Sequence, residues 1–147
     1  MINFESLFVK AKGNPIEYNG GLIHMVDRLV VKNLQRLRFV FDSANSHWRQ
    51  GIHISTDGGF EVNGRKFKKA VVFWNDTAPK TIEVIVETKK GECWIKNVWD
   101  VGDGVMESWH NGAAMMIEDL GGSKLYRCND GDPDEDFDDL VFRVEFI

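Results

Sequence analysis

The residues best placed to do chemistry lie in one short run. Between Asn129 and Leu140, the carboxylates of Asp130, Asp132, Asp134, Glu135, Asp136, Asp138 and Asp139 set an oxygen ligand at nearly every second position. Hard cations such as Ca²⁺ take about six to eight oxygens, often from flexible loops of this kind. So many like charges also repel, and need a cation, basic neighbours or full solvation to offset them. The run therefore predicts a calcium-type site with Asp132, Asp134, Asp136, Asp138 and Asp139 as ligands. A solvated acidic loop that protects a sheet edge from aggregation satisfies the same spacing. An EF-hand does not. Counted from Asp130, Glu135 stands where glycine is needed and Val141 where a bidentate glutamate is needed; counted from Asp134, Asp139 replaces the glycine.

A second stretch, Trp109-His110-Asn111-Gly112, follows Asp100, Asp103 and Glu107. Aromatic and polar groups on a glycine-rich loop suit stacking on sugar rings and hydrogen bonding to their hydroxyls. Trp48, with Asn45 and His47, is a similar cluster. Trp48, Trp109, His110 and Asn111 are thus the candidate ligand-binding residues, and the alternative is that the tryptophans anchor a core. Catalytic signatures are sparse. His24, His47, His53 and His110 lack zinc spacing, there is no Gly-x-Ser-x-Gly, and no glycine-rich phosphate loop occurs. Asp100, Asp103 and Glu107 leave a carboxylate-based hydrolase as a third option.

The elements that must hold these residues are mostly strands. Leu37, Phe39 and Phe41 alternate with Arg38, Val40 and Asp42; Ile82, Val84 and Val86 alternate with Glu83, Ile85 and Glu87; Leu140, Phe142, Val144 and Phe146 form the cleanest period of two. Asn63-Gly64 suits a two-residue hairpin between Phe60–Val62 and Arg65–Phe67. Lys89-Lys90-Gly91 suggests a second hairpin, and Gly121-Gly122 a third between Ala113–Leu120 and Lys124–Cys128. Ala70–Trp74 reads as a buried strand. Phe4, Leu7 and Phe8 start a short helix or an edge strand. With eight to ten strands at short spacing and no long helix, the expectation is one all-β domain over residues 1–147, an antiparallel β-sandwich of jelly-roll type. Phe137 has the opposite parity to Leu140 and Phe142. If Phe137 is buried, a bend or bulge must separate it from that strand, and a bend there could gather Asp134, Asp136, Asp138 and Asp139.

The segment Asp134-Glu135-Asp136-Phe137-Asp138-Asp139-Leu140-Val141-Phe142 resembles the acidic aromatic motif, Asp-x-Asp-Tyr/Phe-Asn/Asp-Asp-Leu/Val-Val, that closes several bacterial extracellular β-sandwich modules. The resemblance covers these nine residues of 147. It implies a β-sandwich and, as in those modules, calcium as a cofactor.

Composition narrows the partners. Hydrophobic residues are 43% and charged residues 28%, ordinary for a globular protein. Net charge is −5, and the seven acids of the run account for all of it, since 16 acids face 18 basic residues elsewhere. Arg65, Lys66, Lys68 and Lys69 read as a solvated strand face, so nucleic acid is not an expected partner. No apolar run suits a membrane span. The first residues lack a basic stretch followed by an apolar one, so the expected location is the cytoplasm, or outside the cell if a leader has been removed. Cys93 and Cys128 fit no zinc pattern and read as two buried free thiols, with one disulfide as the alternative. The function expected is a non-catalytic module that binds carbohydrate or protein. The alternative is a cytoplasmic interaction or immunity-type protein whose acidic loop engages a basic partner.

Overall fold

Alternating apolar residues lead directly to the secondary structure. The computed structural model describes residues 3–132 and 135–147. It contains the helix α1 (Phe4–Lys10) and the strands β1 (Ile16–Tyr18), β2 (Gly21–His24), β3 (Asp27–Val30), β4 (Gln35–Ala44), β5 (Arg49–Val62), β6 (Arg65–Trp74), β7 (Thr81–Glu87), β8 (Glu92–Asp100), β9 (Ala114–Asp119), β10 (Ser123–Asn129) and β11 (Leu140–Phe146). The fold is all-β and antiparallel, as the alternation requires. The strands form one continuous sheet in the order β1-β2-β9-β10-β11-β4-β7-β5-β8-β3, with β6 paired to β5 off this path. That sheet curls into a half-barrel, where two separate sandwich sheets were expected.

The curl has a local cause. β5 pairs with β8 as far as Thr56 and with β7 from Gly59 onward. β7 and β8 therefore run one after the other along β5, and Lys89-Lys90-Gly91 is a corner between them, not a hairpin turn. A Cβ on Gly58 would lie 2.1 Å from the Glu87 carbonyl oxygen, so glycine alone permits this approach. Asp57 fastens the corner by accepting hydrogen bonds from the Thr88 hydroxyl and from the Lys89 and Lys90 amides, the last two at 3.0 and 3.3 Å. The Thr88 bond chiefly, with help from those amides, brings the Asp57 carboxyl down to about 2.

The main core fills the concave side. Leu37, Phe39 and Phe41 meet Ile82, Val84, Val86, Leu140, Phe142 and Val144, the same faces that alternate in the sequence. Each such side chain contributes roughly 1.5–3 kcal/mol when fully buried. Tyr126 stacks on Phe142 with ring centroids 4.6 Å apart, and its hydroxyl donates to Asp27 at 2.6 Å. β10 thereby reaches β3 across the interior, closing with side chains what the strands leave unpaired. A smaller core lies at the β1–β2–β9 end. Asn3 caps α1 by accepting from the Ser6 amide at 3.3 Å. Phe4 and Phe8, one helical turn apart, pack there against Ile23, Ala114 and Phe137.

The third hairpin pairs β9 with β10 as expected. β6 is less buried than expected, because only β5 flanks it; of Ala70–Trp74, Phe73 alone is buried. Cys93 and Cys128 are free and buried. Among the described residues, no helix is long and apolar enough to cross a membrane.

Candidate functional site

The acidic run turns several of its carboxylates inward. Asp130 is fully buried. Its Oδ2 accepts from Ser46 Oγ at 2.8 Å and Gln50 Nε2 at 2.9 Å, and its Oδ1 accepts from the Asp132 amide at 2.9 Å. Asp139 Oδ2 accepts from the Asp130 amide at 2.9 Å, and Asn129 Oδ1 from the Phe137 amide at 2.6 Å. Asp138 Oδ2 accepts from Asn45 Nδ2 at 2.9 Å. The Tyr18 hydroxyl donates to Glu135, and that bond is the main reason the phenol is raised. These acids form part of the loop's own hydrogen-bond framework. Trp99 supports it from below, since a Cβ on Gly131 would sit 2.9 Å from the indole Cζ2.

The bend expected at Phe137 is present. Glu135 and Phe137 have φ of 60° and 54°, and the Phe137 ring lies 6.0 Å from Phe4 and 5.9 Å from Tyr18. Packing into the smaller core holds the bulky residue in this uncommon conformation. The expected ligands nevertheless sit in different surroundings. Asp132 is half-buried, Asp136 is exposed, Asp138 is tied to Asn45 and Asp139 is buried. Asp134 lies outside the described residues. Among the described residues, no group of three or more His, Cys, Asp or Glu is arranged to hold a metal.

The Trp109 loop is held from three directions. After β8 the chain returns through a bridge between Trp99 and Glu107, whose amides and carbonyls pair at 3.0 and 2.8 Å. Asp100 and Asp103 shape the intervening turns by accepting from the Gly102, Gly104 and Val105 amides. The Glu5 amide donates to the Asn111 carbonyl at 2.9 Å, and Glu5 Oε1 accepts from the Asn111 amide at 2.8 Å. Trp109 Nε1 donates to the Met25 carbonyl at 2.9 Å, which fixes the indole's orientation. Trp109 itself has φ of 66°. His110 lies 3.7 Å from Glu5 on the helix side.

Trp109 stands over the outer face of the β5–β8 ladder. Trp94 lies opposite Ser55 and Lys96 opposite His53, while their neighbours Ile54 and Ile95 point into the core. With Val26 and Trp109 they line a groove of about 330 Å³. Trp94 is 37% exposed and Trp109 43%. Lys96 Nζ donates to Ser108 Oγ at 3.1 Å and lies 4.1 Å from the centre of the Trp109 ring. Burial lowers the Lys96 pKa. Burial, and then the Lys96 charge, lower that of His53, favouring a neutral imidazole. The groove thus combines flat apolar surfaces with hydroxyl, imidazole and ammonium groups, and none of its lining residues is a carboxylate. The other side of Trp109, with His110, lines a second hollow of about 390 Å³ against α1.

Of the four expected ligand-binding residues, Trp109 and His110 share this region, and Asn111 acts through its backbone as a tie to α1. Trp48 lies elsewhere, half-buried with its ring 5.3 Å from His47, and its amide donates to Ser46 Oγ. His53, Ser55, Trp94 and Lys96 escaped sequence reasoning as site residues. Alternation alone indicates that each pair shares a face, His53 with Ser55 and Trp94 with Lys96. That the two pairs lie side by side depends on the register between strands roughly forty residues apart. Comparisons with protein-family models, curated proteins and solved structures found no match to this chain.

Proposed function

We propose that this protein is a non-catalytic binding module whose ligand is a carbohydrate held in the groove between Trp94 and Trp109. The observation that carries this reading is a pair of half-exposed indoles beside a polar floor of His53, Ser55 and Lys96. Sugar rings have apolar faces that stack on indoles and hydroxyl edges that exchange hydrogen bonds with such groups. The site is largely pre-formed: four of its side chains stand on the β5–β8 ladder, and the Trp109 indole is held by Met25. This lowers the ordering cost of binding. The acidic loop, in this reading, is a structural part that joins Ser46 and Gln50 to β10. Its Asp130 oxygens are already engaged by protein donors.

A glycan array followed by calorimetry tests the proposal. Oligosaccharide binding by the wild type should weaken at least about tenfold in Trp94→Ala, the loss of one stacking platform. Trp109→Ala should show a similar loss. No binding by the wild type to any glycan, or binding unaffected by both substitutions, would refute the proposal.

A further inference from the structure

We infer that the groove selects an acidic sugar, a uronate whose ring rests on Trp94 and whose carboxylate pairs with Lys96. The inference rests on the carbohydrate reading above and names the ligand class. Its basis is an ammonium group without a counter-ion. Lys96 is half-buried, and no carboxylate among the described residues forms an ion pair with it. Several other cations on strand faces do have partners. Arg28, directly opposite Trp94, is paired with Glu92 at 2.6 Å; Arg49 with Asp76 at 2.7 Å; Arg38 with Glu83 at 3.0 Å; Arg143 with Asp42 at 3.0 Å.

Lys96 uses one donor on Ser108 Oγ, and the Trp109 ring supplies a weak π contact. An ammonium has three donors, so two are left for a ligand. An unpaired charge in a partly dry groove is costly, and an incoming anion offsets that cost. Beside it, the neutral imidazole of His53 can exchange a hydrogen bond with a carboxylate or hydroxyl without competing for the charge.

Spacing and charge support a uronate over a phosphate. Trp94 and Lys96 are two residues apart on one face of β8, so their attachment points are about 7 Å apart. That separation suits a six-membered ring lying on the indole with a carboxylate projecting from its edge. A phosphate dianion would call for a second free cation, but Arg28, opposite Trp94, is already paired with Glu92.

Calorimetry on the full chain tests this with galacturonate, mannuronate and glucuronate oligosaccharides, each beside its methyl ester, which removes the charge but keeps the ring. At least one acid should bind about tenfold or more tightly than its ester. That preference should vanish in Lys96→Met and in Lys96→Gln, the first keeping the apolar stem and the second a polar head. It should shrink as salt rises from about 20 to 300 mM. Esters or neutral sugars that bind as well as the acids, or a preference that survives both substitutions, would overturn the acidic-sugar inference and leave the carbohydrate reading intact. Failure of every acid, ester and neutral sugar would overturn both.

Discussion

Replacing Asp130 by alanine should destabilise the protein even when every divalent cation has been chelated. Asp130 is fully buried and accepts from Ser46 Oγ, Gln50 Nε2 and the Asp132 amide. Hydrogen bonds to a charged acceptor contribute about 1.5–3 kcal/mol each, which sets a ceiling of about 4.5–9 kcal/mol. Several effects lower that figure. Ser46 and Asp132 are half-buried and can turn to water, Gln50 Nε2 keeps the Trp48 carbonyl at 3.2 Å, and truncation removes a desolvated charge. A net loss of about 3 kcal/mol follows, which at about 2–4 °C per kcal/mol lowers Tm by about 6–12 °C for a domain of this size. The assay is urea unfolding and thermal melting in EDTA, with Asp138→Asn as a control. Asp138 is half-buried and accepts from Asn45 at an exposed position, so its loss should stay below about 0.5 kcal/mol. A loss under about 1 kcal/mol for Asp130→Ala in EDTA, or one that emerges only on adding calcium, would refute the structural role of the loop.

Gly58→Ala should cost about 3 kcal/mol or more by urea unfolding, because its Cβ would collide with the Glu87 carbonyl. Gly64→Ala, at φ 77° with open space around it, should cost only about 1 kcal/mol. His53 and His24 both have pKa values lowered chiefly by burial, so the folded state binds their protons less readily than the unfolded state. Their contribution is fully present above the unfolded value of about 6.5 and is lost as pH falls through and below it, so Tm should drop between pH 7 and 5, and less so in His53→Gln. A Tm that is flat or rises over that interval would contradict the burial argument. Burial pushes the Cys93 thiol up to about 12 and raises Cys128 further from reactivity, so neither should react with a disulfide reagent at pH 8 until the chain is unfolded, when both should.

Much of the fold was legible because alternation is a local property. Leu37, Phe39 and Phe41, or Leu140, Phe142 and Val144, show their buried face within a few residues, and no partner is needed to read it. The same held for the Asn63-Gly64 turn and, once Phe137 is taken as buried, for the bend before β11. The corner at Asp57-Gly58 was not legible. Lys89-Lys90-Gly91 looks like a hairpin turn until Asp57, more than thirty residues earlier, is seen to accept from its amides.

The candidate site divides in the same way. Trp109 stood out by its type and its loop, and the acidic run by its composition. Composition could not tell whether those carboxylates face a cation, a partner or the protein's own amides; Asp130 turns inward onto Ser46 and Gln50, and Asp139 onto the Asp130 amide. Nor could it pair Trp94 with Ser55, or Lys96 with His53. The sequence by itself determined which residues share a strand face, since that depends only on the two-residue repeat of an extended chain. The tertiary structure alone decided which faces adjoin, because register between distant strands is set by the whole core and not by any one segment.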